Sequence, residues 1–284
     1  YGPLEQELMH YEGHIVPVST TGVLIKNHEG EQQIWSIIQD ITERRRIEQM
    51  KNQFVSMVSH ELRTPLTAIA GALGLINGGA LGEVPVVMQD MLRIAQGNSQ
   101  RLGELINDLL DMDKLIAGKM TFDIRLQPLQ KLLEAAIEQN QPYAEQYRVQ
   151  LQLLQPAGDL QVRIDSQRLG QVLANLLSNA AKFSPEGSAV EVAGVLLNDH
   201  ARITVSDQGP GIPQAFRQRI FSKFSQADAT DTRQKGGTGL GLAISKQLIE
   251  QMGGQIGFDS VEGQGSIFWF ELPLHTTSTQ RANL

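Results

Sequence analysis

The chain has 284 residues, of which 41% are hydrophobic and 19% charged, and its formal net charge is −7. This length suffices for two or three domains, and the acidic balance argues against nucleic acid as the main partner. Because the chain contains no cysteine, disulfides, zinc–thiolate sites and thiol catalysis are excluded. Its apolar runs are all shorter than the roughly 20 residues that span a bilayer.

Residues 1–42 favour short strands separated by turns. Apolar and β-branched residues cluster in three runs, at 14–19, 23–25 and 33–39. The polar segment 27–30 ends in glycine and predicts a turn between the last two runs. The simplest structure that these signals predict is a short antiparallel hairpin.

A long amphipathic helix is predicted over 47–76, since apolar residues recur there every three or four positions. His60 lies two residues from both Val58 and Leu62, and therefore points about 200° away from the apolar stripe, toward solvent. Pro65 removes one backbone donor, so we expect a kink in this helix.

A second amphipathic helix is predicted over 91–116, after a glycine-rich loop at 77–85. Two helices joined by a short loop form an antiparallel hairpin. One hairpin cannot bury both apolar faces, so we predict that two copies pair into a four-helix bundle, which makes the protein a homodimer.

Strand and helix patterns alternate over 120–274, which predicts one α/β layer domain. Strands are expected at 121–126, 149–154, 160–164, 189–197, 202–206, 255–259 and 266–272, and helices at 129–147, 166–182 and 241–252. Residues 276–284 form a polar tail.

The run SHELRTPL at Ser59–Leu66 predicts a chemical role for the first helix. A neutral imidazole at His60 can attack a phosphorus atom, and Glu61 can hold the proton on the other ring nitrogen. Thr64 lies one helical turn further on the same face. An isolated His–Glu pair is usually an ordinary surface pair, so the hypothesis depends on the motifs that follow.

The helix predicted at 166–182 combines a core stripe with a polar face. Asn175, Asn179 and Lys182 lie at i, i+4 and i+7, and apolar residues occupy the opposite face. Asparagine is unfavourable inside helices, so two of them on one face indicate a function, against the alternative of a solvated polar surface.

Two glycine-containing segments follow that helix. Asp207 ends a predicted strand, and Gly209 and Gly211 let the backbone approach a ligand closely, although Asp and Gly are also common in turns. The run GGTGLG at 236–241 opens the last predicted helix, where free backbone amides form a phosphate site. It lacks the GK[ST] of a P-loop and the preceding strand of a dinucleotide fold.

Taken in this order, SHELRTPL, NLLSNAAKFS at 175–184, DQGPGIP at 207–213 and GGTGLGLAISK at 236–246 resemble a sensor histidine kinase of a two-component system. The resemblance implies an α+β multidomain fold. A helical hairpin that forms a dimeric four-helix bundle precedes an α/β sandwich ATP-binding domain of the Bergerat type. The end of the first segment, at 39–45, similarly resembles the last strand and exit of a PAS sensor domain.

The resemblance also implies domain boundaries and an activity. The C-terminal part of a PAS-like sensor occupies 1–42, the dimerisation and phosphotransfer hairpin 43–118, and the catalytic ATP-binding domain 119–275. His60 is then phosphorylated by ATP with the help of Glu61, and passes the group to an aspartate on the receiver domain of a response regulator. Thr64 helps to dephosphorylate that regulator.

Residue by residue, the resemblance places ATP and Mg²⁺ in the second domain. Asn179 supplies an oxygen to the metal, Asn175 reaches the phosphates or a metal-bound water, and Lys182 adds positive charge. Asp207 accepts the exocyclic amine of adenine, which selects ATP over GTP. The other implied nucleotide-binding residues are Gly209, Gly211, Gly237, Thr238, Gly239, Leu240 and Gly241.

The match is weaker in the segment 212–235, which is expected to be a mobile lid. Phe221 and Phe224 match an aromatic box of the family, or pack in the core as ordinary apolar residues. Many relatives carry an arginine where this chain has Gln226. The cation that meets the γ-phosphate is therefore left open among Lys223, Arg233 and Lys235.

Two alternatives stay open at this point. A chaperone- or topoisomerase-like ATPase shares the nucleotide fold, but it needs a transducer domain after the ATP site, where only about ten residues remain. A phosphatase-dominant signalling scaffold is compatible with Thr64.

The remaining expectations concern the other histidines and the location of the protein. His10, His14, His28, His200 and His275 are expected to be turn or surface residues without the spacing of metal ligands. We expect this segment to be cytoplasmic, and because the chain begins with Tyr1 rather than Met, an upstream membrane anchor is left open.

Overall fold

The structure is a computed structural model that describes residues 2–26, 30–80, 82–155, 157–158, 160–225 and 238–274. At residues 52, 53, 55, 56, 60 and 155 it describes the backbone alone. The chain forms two compact units, Tyr1–Ser99 and Gln100–Leu284.

The first unit begins with a three-stranded antiparallel sheet in the order β1-β2-β3. Its strands are β1 (Leu4–Met9), β2 (Ile15–Lys26) and β3 (Gln32–Asp40). The predicted hairpin corresponds to β2 and β3, whereas β1 was not predicted. The run LEQELM has no strand signature of its own, and it becomes a strand by pairing with β2, from Leu4 opposite Thr20 to Met9 opposite Ile15. The PAS-like interpretation of residues 1–42 stays a prediction.

Two long helices follow, α1 (Thr42–Asn77) and α2 (Val86–Ile116), and α2 contributes to both units. Helix α1 continues through Pro65 without interruption, and the kink expected there stays a prediction. Many apolar side chains on these helices are exposed, for example Phe54 at 62% and Met91 at 74%. None of the helices in the described part of the chain carries a stretch long and apolar enough to span a bilayer.

The second unit contains a five-stranded sheet in the order β5-β7-β8-β10-β9 and a two-stranded sheet of β4 and β6. The strands are β4 (Arg125–Pro128), β5 (Gln150–Gln155), β6 (Gln161–Ile164), β7 (Ala189–Leu197), β8 (His200–Asp207), β9 (Gln255–Ser260) and β10 (Ser266–Pro273). Only β5 and β7 pair in parallel, and the other neighbours are antiparallel. The strand predicted at 121–126 is displaced to β4, because its ladder with β6 sets its bounds.

Helices of the second unit contact this sheet. They are α3 (Leu129–Gln146), α4 (Ser166–Phe183), the short α5 (Gln214–Arg217) and α6 (Gly241–Gln251). Strands β7 and β8 bury every second side chain, and α4 contacts α3, α6 and β8. The order of the elements confirms a helical region followed by an α/β domain, as predicted. Because the apolar stripe of α4 is in the core, its other face is left for the site.

Asp165 caps the N-terminus of α4. Its Oδ1 accepts the backbone N–H groups of Gln167 and Arg168 at 2.9 and 3.1 Å, and its Oδ2 accepts that of Asp123 at 2.9 Å. Burial by itself raises the pKa of Asp165, but the three backbone donors and the nearby Arg168 charge outweigh it and hold the pKa below its usual value. The cap therefore acts through the ionised carboxylate.

Replacing Asp165 by alanine is expected to lower the free energy of unfolding by about 1–2 kcal/mol, because three backbone donors lose their acceptor. Asp165→Asn retains an acceptor oxygen and should lose less. Since the pKa is depressed in the folded protein, the advantage of wild type is present above the pKa of the unfolded chain and is lost as the pH falls through the folded-state pKa. Urea unfolding at several pH values measures this, and equal stability of Asp165→Ala and wild type at pH 7 would refute it.

Candidate active site

The polar face of α4 is joined to the start of α6 by Asn175. Its Nδ2 donates to Ser245 Oγ at 2.9 Å, and its Oδ1 accepts from Nδ2 of Asn179 at 3.3 Å. A Cβ added to Gly241, the first residue of α6, would overlap the side chain of Asn175. The structure thus brings Asn175 directly against the helix that the glycine-rich run opens, and Asn179 is linked to that contact through Asn175.

Lys182, the third residue of the polar face, is buried in the last turn of α4. Its Nζ lies 5.0 Å from the centre of the Phe183 ring. An ammonium group over an aromatic face is attracted to it electrostatically. The positive charge of Lys182 is therefore positioned by the Phe183 ring at the C-terminal end of α4.

Asp207 is buried at the end of β8. Its Oδ1 accepts the backbone N–H groups of Gly209 at 2.8 Å and Ser266 at 3.2 Å. Burial raises the pKa of Asp207, and these two donors only partly oppose that effect. Because both backbone donors act on Oδ1, the carboxyl group is fixed in orientation and Oδ2 is the atom that can accept from a ligand.

The segment after Asp207 passes close to other backbone. A Cβ on Gly209 would lie 3.0 Å from the carbonyl oxygen of Phe183 at the end of α4. Gly211 has a φ of +73°, a left-handed conformation that glycine adopts without strain, and a Cβ there would overlap the carbonyl oxygen of Val261. Both glycines are therefore required by space or conformation: Gly209 brings the Asp207 segment against the end of α4, and Gly211 brings it against the backbone that follows β9.

The glycine-rich run is described from Thr238 onward, and Gly237 lies outside the described residues. The Thr238 hydroxyl donates to Asp108 Oδ2 on α2 at 2.9 Å and accepts the backbone N–H of Leu240 at 3.1 Å. Leu240 is buried in the core, and Gly239 has a φ of +69°. Thr238 therefore fixes the glycine-rich run through its hydrogen bonds, and Leu240 fixes it through burial in the core.

Asp108 is an acidic partner that the sequence did not predict. Burial raises its pKa, the hydrogen bond from Thr238 opposes the rise, and the charges of Glu104 and Asp111 add to it. The pair Asp108–Thr238 ties the glycine-rich run to the C-terminal half of α2, within the second unit.

The aromatic residues predicted for the lid have different surroundings. Phe221 is half-buried, with its ring 6.1 Å from that of Phe258 and 5.8 Å from Lys246 Nζ. Phe224 is 67% exposed, with a φ of 58°. Lys223 is exposed, whereas three other residues of the predicted lid lie outside the described residues: Gln226, Arg233 and Lys235.

The proposed phosphoacceptor lies in the first unit. His60 is part of α1, but its side chain lies outside what the structure describes. Glu61 and Thr64 are exposed on the same helix. The helix therefore carries Glu61 and Thr64 at its surface, and the solvent-facing orientation of His60 stays a prediction.

Sequence reasoning missed several residues that hold the site together. Ser245 and Ser266 bond to Asn175 and Asp207 across long stretches of chain. Ser266 follows the run Gly263-Gln264-Gly265, a second glycine pair that could have drawn attention to it. No local sequence pattern marked Asp108 as a site residue, because its partner Thr238 is far along the chain.

His10 and His14 lie at the turn between β1 and β2, in agreement with the expectation that they are turn or surface residues. The turn between β1 and β2 brings ligand atoms of His10, Glu12 and His14 within 4.8 Å of one another. The spacing of these residues along the chain did not reveal this, because it is the hairpin that folds the two rings together.

Sequence models of two protein families match this chain. Residues 50–118 match the His Kinase A (phospho-acceptor) domain. Residues 164–276 match the histidine kinase-, DNA gyrase B-, and HSP90-like ATPase. The first match contains His60, and the second contains the polar face of α4, Asp207 and the glycine-rich run.

Curated relatives of the chain are named as sensor kinases. Sensor histidine kinase WalK of Bacillus subtilis is 35% identical over 254 residues, which cover 88% of this chain and 41% of the relative. Circadian input-output histidine kinase CikA of Synechococcus elongatus is 40% identical over 228 residues, which cover 80% of this chain and 30% of the relative. The chain thus spans less than half the length of these relatives.

A solved structure, full-length ShkA in complex with AMPPNP, aligns with a TM-score of 0.65 at 29% identity, over 79% of this chain and 46% of that one. The phosphoacceptor match disfavours the chaperone- or topoisomerase-like alternative, which has no such helical segment. An ATP-binding ATPase fold that follows a phosphoacceptor segment, in a chain whose relatives are sensor kinases, shows that this protein belongs to the sensor histidine kinases of two-component systems.

Proposed function

We propose that this chain is an ATP-dependent protein-histidine autokinase whose phosphoacceptor is His60. The observation that carries the proposal is the buried Asp207 carboxyl, fixed by two backbone donors in a segment that lies against the C-terminal end of α4. A neutral ring nitrogen of His60 forms a bond to the γ-phosphorus of ATP, while the bond from phosphorus to the departing ADP oxygen breaks. Glu61 holds the proton on the other ring nitrogen and stabilises the charge that develops.

The nucleotide is held by groups with separate tasks. Asp207 Oδ2 accepts the exocyclic amine of adenine, which guanine lacks at that position. Backbone amides of the glycine-rich run and the start of α6 bind the phosphates, and Lys182 adds positive charge. Catalysis then consists mainly of positioning and charge stabilisation, as expected for phosphoryl transfer.

The residues on α4 fit a magnesium ion. Asn179 uses its Nδ2 on Asn175, so its amide oxygen is oriented for another partner. Amide oxygens suit Mg²⁺, which also keeps several waters and bridges phosphates. Asn179 would hold the ion with the help of Asn175, and the ion when bound would neutralise phosphate charge.

The partners follow from the same chemistry. A phosphohistidine is a donor for an aspartate on the receiver domain of a response regulator, which we propose as the acceptor. Apolar side chains exposed on α1 and α2, such as Phe54 and Met91, support a second copy of this chain as the partner of the helices.

The test is to incubate the tag-free chain with γ-labelled ATP and Mg²⁺. Label that is lost in acid and kept in base is expected, as for a phosphohistidine. His60→Gln should remove it, whereas the matched variant His200→Gln, a histidine on β8, should keep it. Undiminished label in His60→Gln would mean that another residue is the acceptor.

Thr64 supports a second activity, dephosphorylation of the regulator, because it is exposed on α1 one turn after His60. Thr64→Ala is expected to keep autophosphorylation and to slow dephosphorylation of a phosphorylated receiver domain by at least about tenfold, since the attacking water loses its orienting hydroxyl. Thr67→Ala is the matched control, because the Thr67 hydroxyl donates to the Arg63 carbonyl at 2.9 Å instead. Equal rates for the two variants would argue against this role.

A further inference from the structure

We propose that the turn between β1 and β2 is a binding site for a divalent transition metal such as Zn²⁺, with His10, Glu12 and His14 as its protein ligands. One ligand atom from each of the three side chains lies within 4.8 Å of the other two. The site belongs to the first unit and shares no residue with the nucleotide site.

The backbone of the turn brings the two histidines together. The backbone N–H of His10 donates to the carbonyl of His14 at 2.8 Å, and that of Gly13 donates to the carbonyl of His10 at 2.9 Å. Gly13 has a φ of +85°, the left-handed conformation that three-residue hairpin loops require. His10 and His14 are therefore a directly opposed cross-strand pair, whose side chains project from the same face.

The side chains leave a space of the right size for a metal ion. The imidazole rings are stacked with centres 4.3 Å apart, and Oε2 of Glu12 lies 3.7 Å from His10 Nδ1 and 3.9 Å from His14 Nδ1. Donor atoms about 2.1 Å from a tetrahedral zinc ion are about 3.4 Å apart. The two separations from Glu12 Oε2 are only a few tenths of an ångström larger, and the ligand atoms of the two histidines lie within 4.8 Å of each other, so side-chain rotations would complete the site.

A neighbouring group already orients one of the ligands. The hydroxyl of Tyr11 donates to Glu12 Oε1 at 3.1 Å, which leaves Oε2 toward the histidines. Outer hydrogen bonds of this kind orient metal ligands in known sites. The backbone N–H of Glu12 donates to His10 Nδ1 at 3.3 Å, so this nitrogen is unprotonated, and a metal ion bound there would replace that long hydrogen bond.

The donor set indicates which metals fit. Two imidazoles and one carboxylate favour zinc, nickel or copper over magnesium and calcium, which prefer oxygen donors. Glu12 and His14 are exposed and His10 is half-buried, so an ion can enter from solvent and water can fill its remaining coordination positions. The proposed metal site is therefore accessible to solvent.

The experiment is calorimetric titration of Zn²⁺ into the tag-free full chain after treatment with a chelator, without nucleotide, because ATP itself binds metals. We expect one strong site per chain, unaffected by excess Mg²⁺. His10→Ala and His14→Ala should each weaken it by more than about tenfold. His200→Gln, which removes a histidine outside the turn, should leave it unchanged.

Binding that is absent, or that persists with the same affinity in His10→Ala and His14→Ala, would overturn the proposal. Glu12→Gln provides a second variant that keeps the shape of the turn and removes the carboxylate, and it too should weaken binding if the proposal holds. Circular dichroism of each variant shows whether the fold is retained. Since no nucleotide is used, failure of this site and failure of the kinase proposal give separate results.

Discussion

Replacing Asp207 by asparagine is expected to lower the affinity of the chain for ATP by about 30- to 100-fold. The backbone donors hold Oδ1, so the asparagine keeps its oxygen there and turns its NH₂ group toward the adenine amine. Two donors then face each other, and a buried hydrogen bond is lost at a cost of about 2–3 kcal/mol. The affinity for GTP should fall much less, because guanine has a carbonyl oxygen where adenine has the amine. The ratio of ATP affinity to GTP affinity should therefore decrease.

The same substitution is expected to leave the fold at least as stable. Burial raises the pKa of Asp207, so the folded state disfavours its ionised form. For a raised pKa, the stability contributed by the group is fully present below the pKa of the unfolded chain and is lost as the pH rises through the folded-state pKa. Asp207→Asn should therefore gain stability relative to wild type as the pH rises from acid to neutral.

Titration with ATP and with GTP, together with thermal unfolding, separates binding from folding in this variant. Asp199→Asn, which changes an exposed aspartate between β7 and β8, is the matched control and should behave as wild type. Unchanged affinity for ATP in a folded Asp207→Asn chain would show that this carboxyl does not contact the base.

Replacing Gly241 by alanine is expected to weaken ATP binding by about tenfold and to destabilise the second unit by about 1–2 kcal/mol. Alanine normally stabilises a helix relative to glycine, but here its Cβ would overlap the amide of Asn175. Asn175 cannot move away without losing its hydrogen bonds with Ser245 and Asn179. The overlap therefore displaces the start of α6 from the polar face of α4 and misaligns the two parts of the phosphate site.

Gly170→Ala is the matched control, since Gly170 also lies in a helix but its added Cβ would meet nothing within 4 Å. That control should gain up to about 1 kcal/mol of stability. Combining Gly241→Ala with Asn175→Ala removes the overlap, so the double variant should lose less stability than the sum of the two single changes. If Gly241→Ala unfolded at the same temperature as Gly170→Ala and bound ATP as tightly, the close contact between Gly241 and Asn175 would contribute neither to stability nor to ATP binding.

Helices were the part of the fold most open to prediction from sequence. The apolar spacing of α1, α2 and α4 is a local property of the chain, and it predicted their positions to within a few residues, apart from the starts of α1 and α2, which both lie earlier in the chain than expected. Strands β1 and β4 were missed or displaced, because their bounds depend on partners that local patterns do not contain.

The site, like the fold, has parts that the sequence predicts and parts that it does not. The polar residues of α4 and the Asp207 segment were recognised from their spacing and motifs, but the contacts that fix them come from distant parts of the chain. Ser266 bonds to Asp207 across 59 positions, and Thr238 to Asp108 across 130. The approach of His10 to His14 likewise depends on hairpin closure, which no helix-based spacing rule anticipates.

The central claim, that His60 receives the terminal phosphate of ATP, is tested most directly by locating the phosphoryl group after incubation with ATP and Mg²⁺. The chain is digested without exposure to acid, and the peptides are analysed by mass spectrometry. We predict an acid-labile phosphate on the peptide that contains residues 59–66, and a marked decrease of that phosphate in Asp207→Asn at ATP concentrations that do not saturate the variant. An acid-stable phosphate on a serine or threonine, or a phosphate on another histidine such as His200, would contradict the claim.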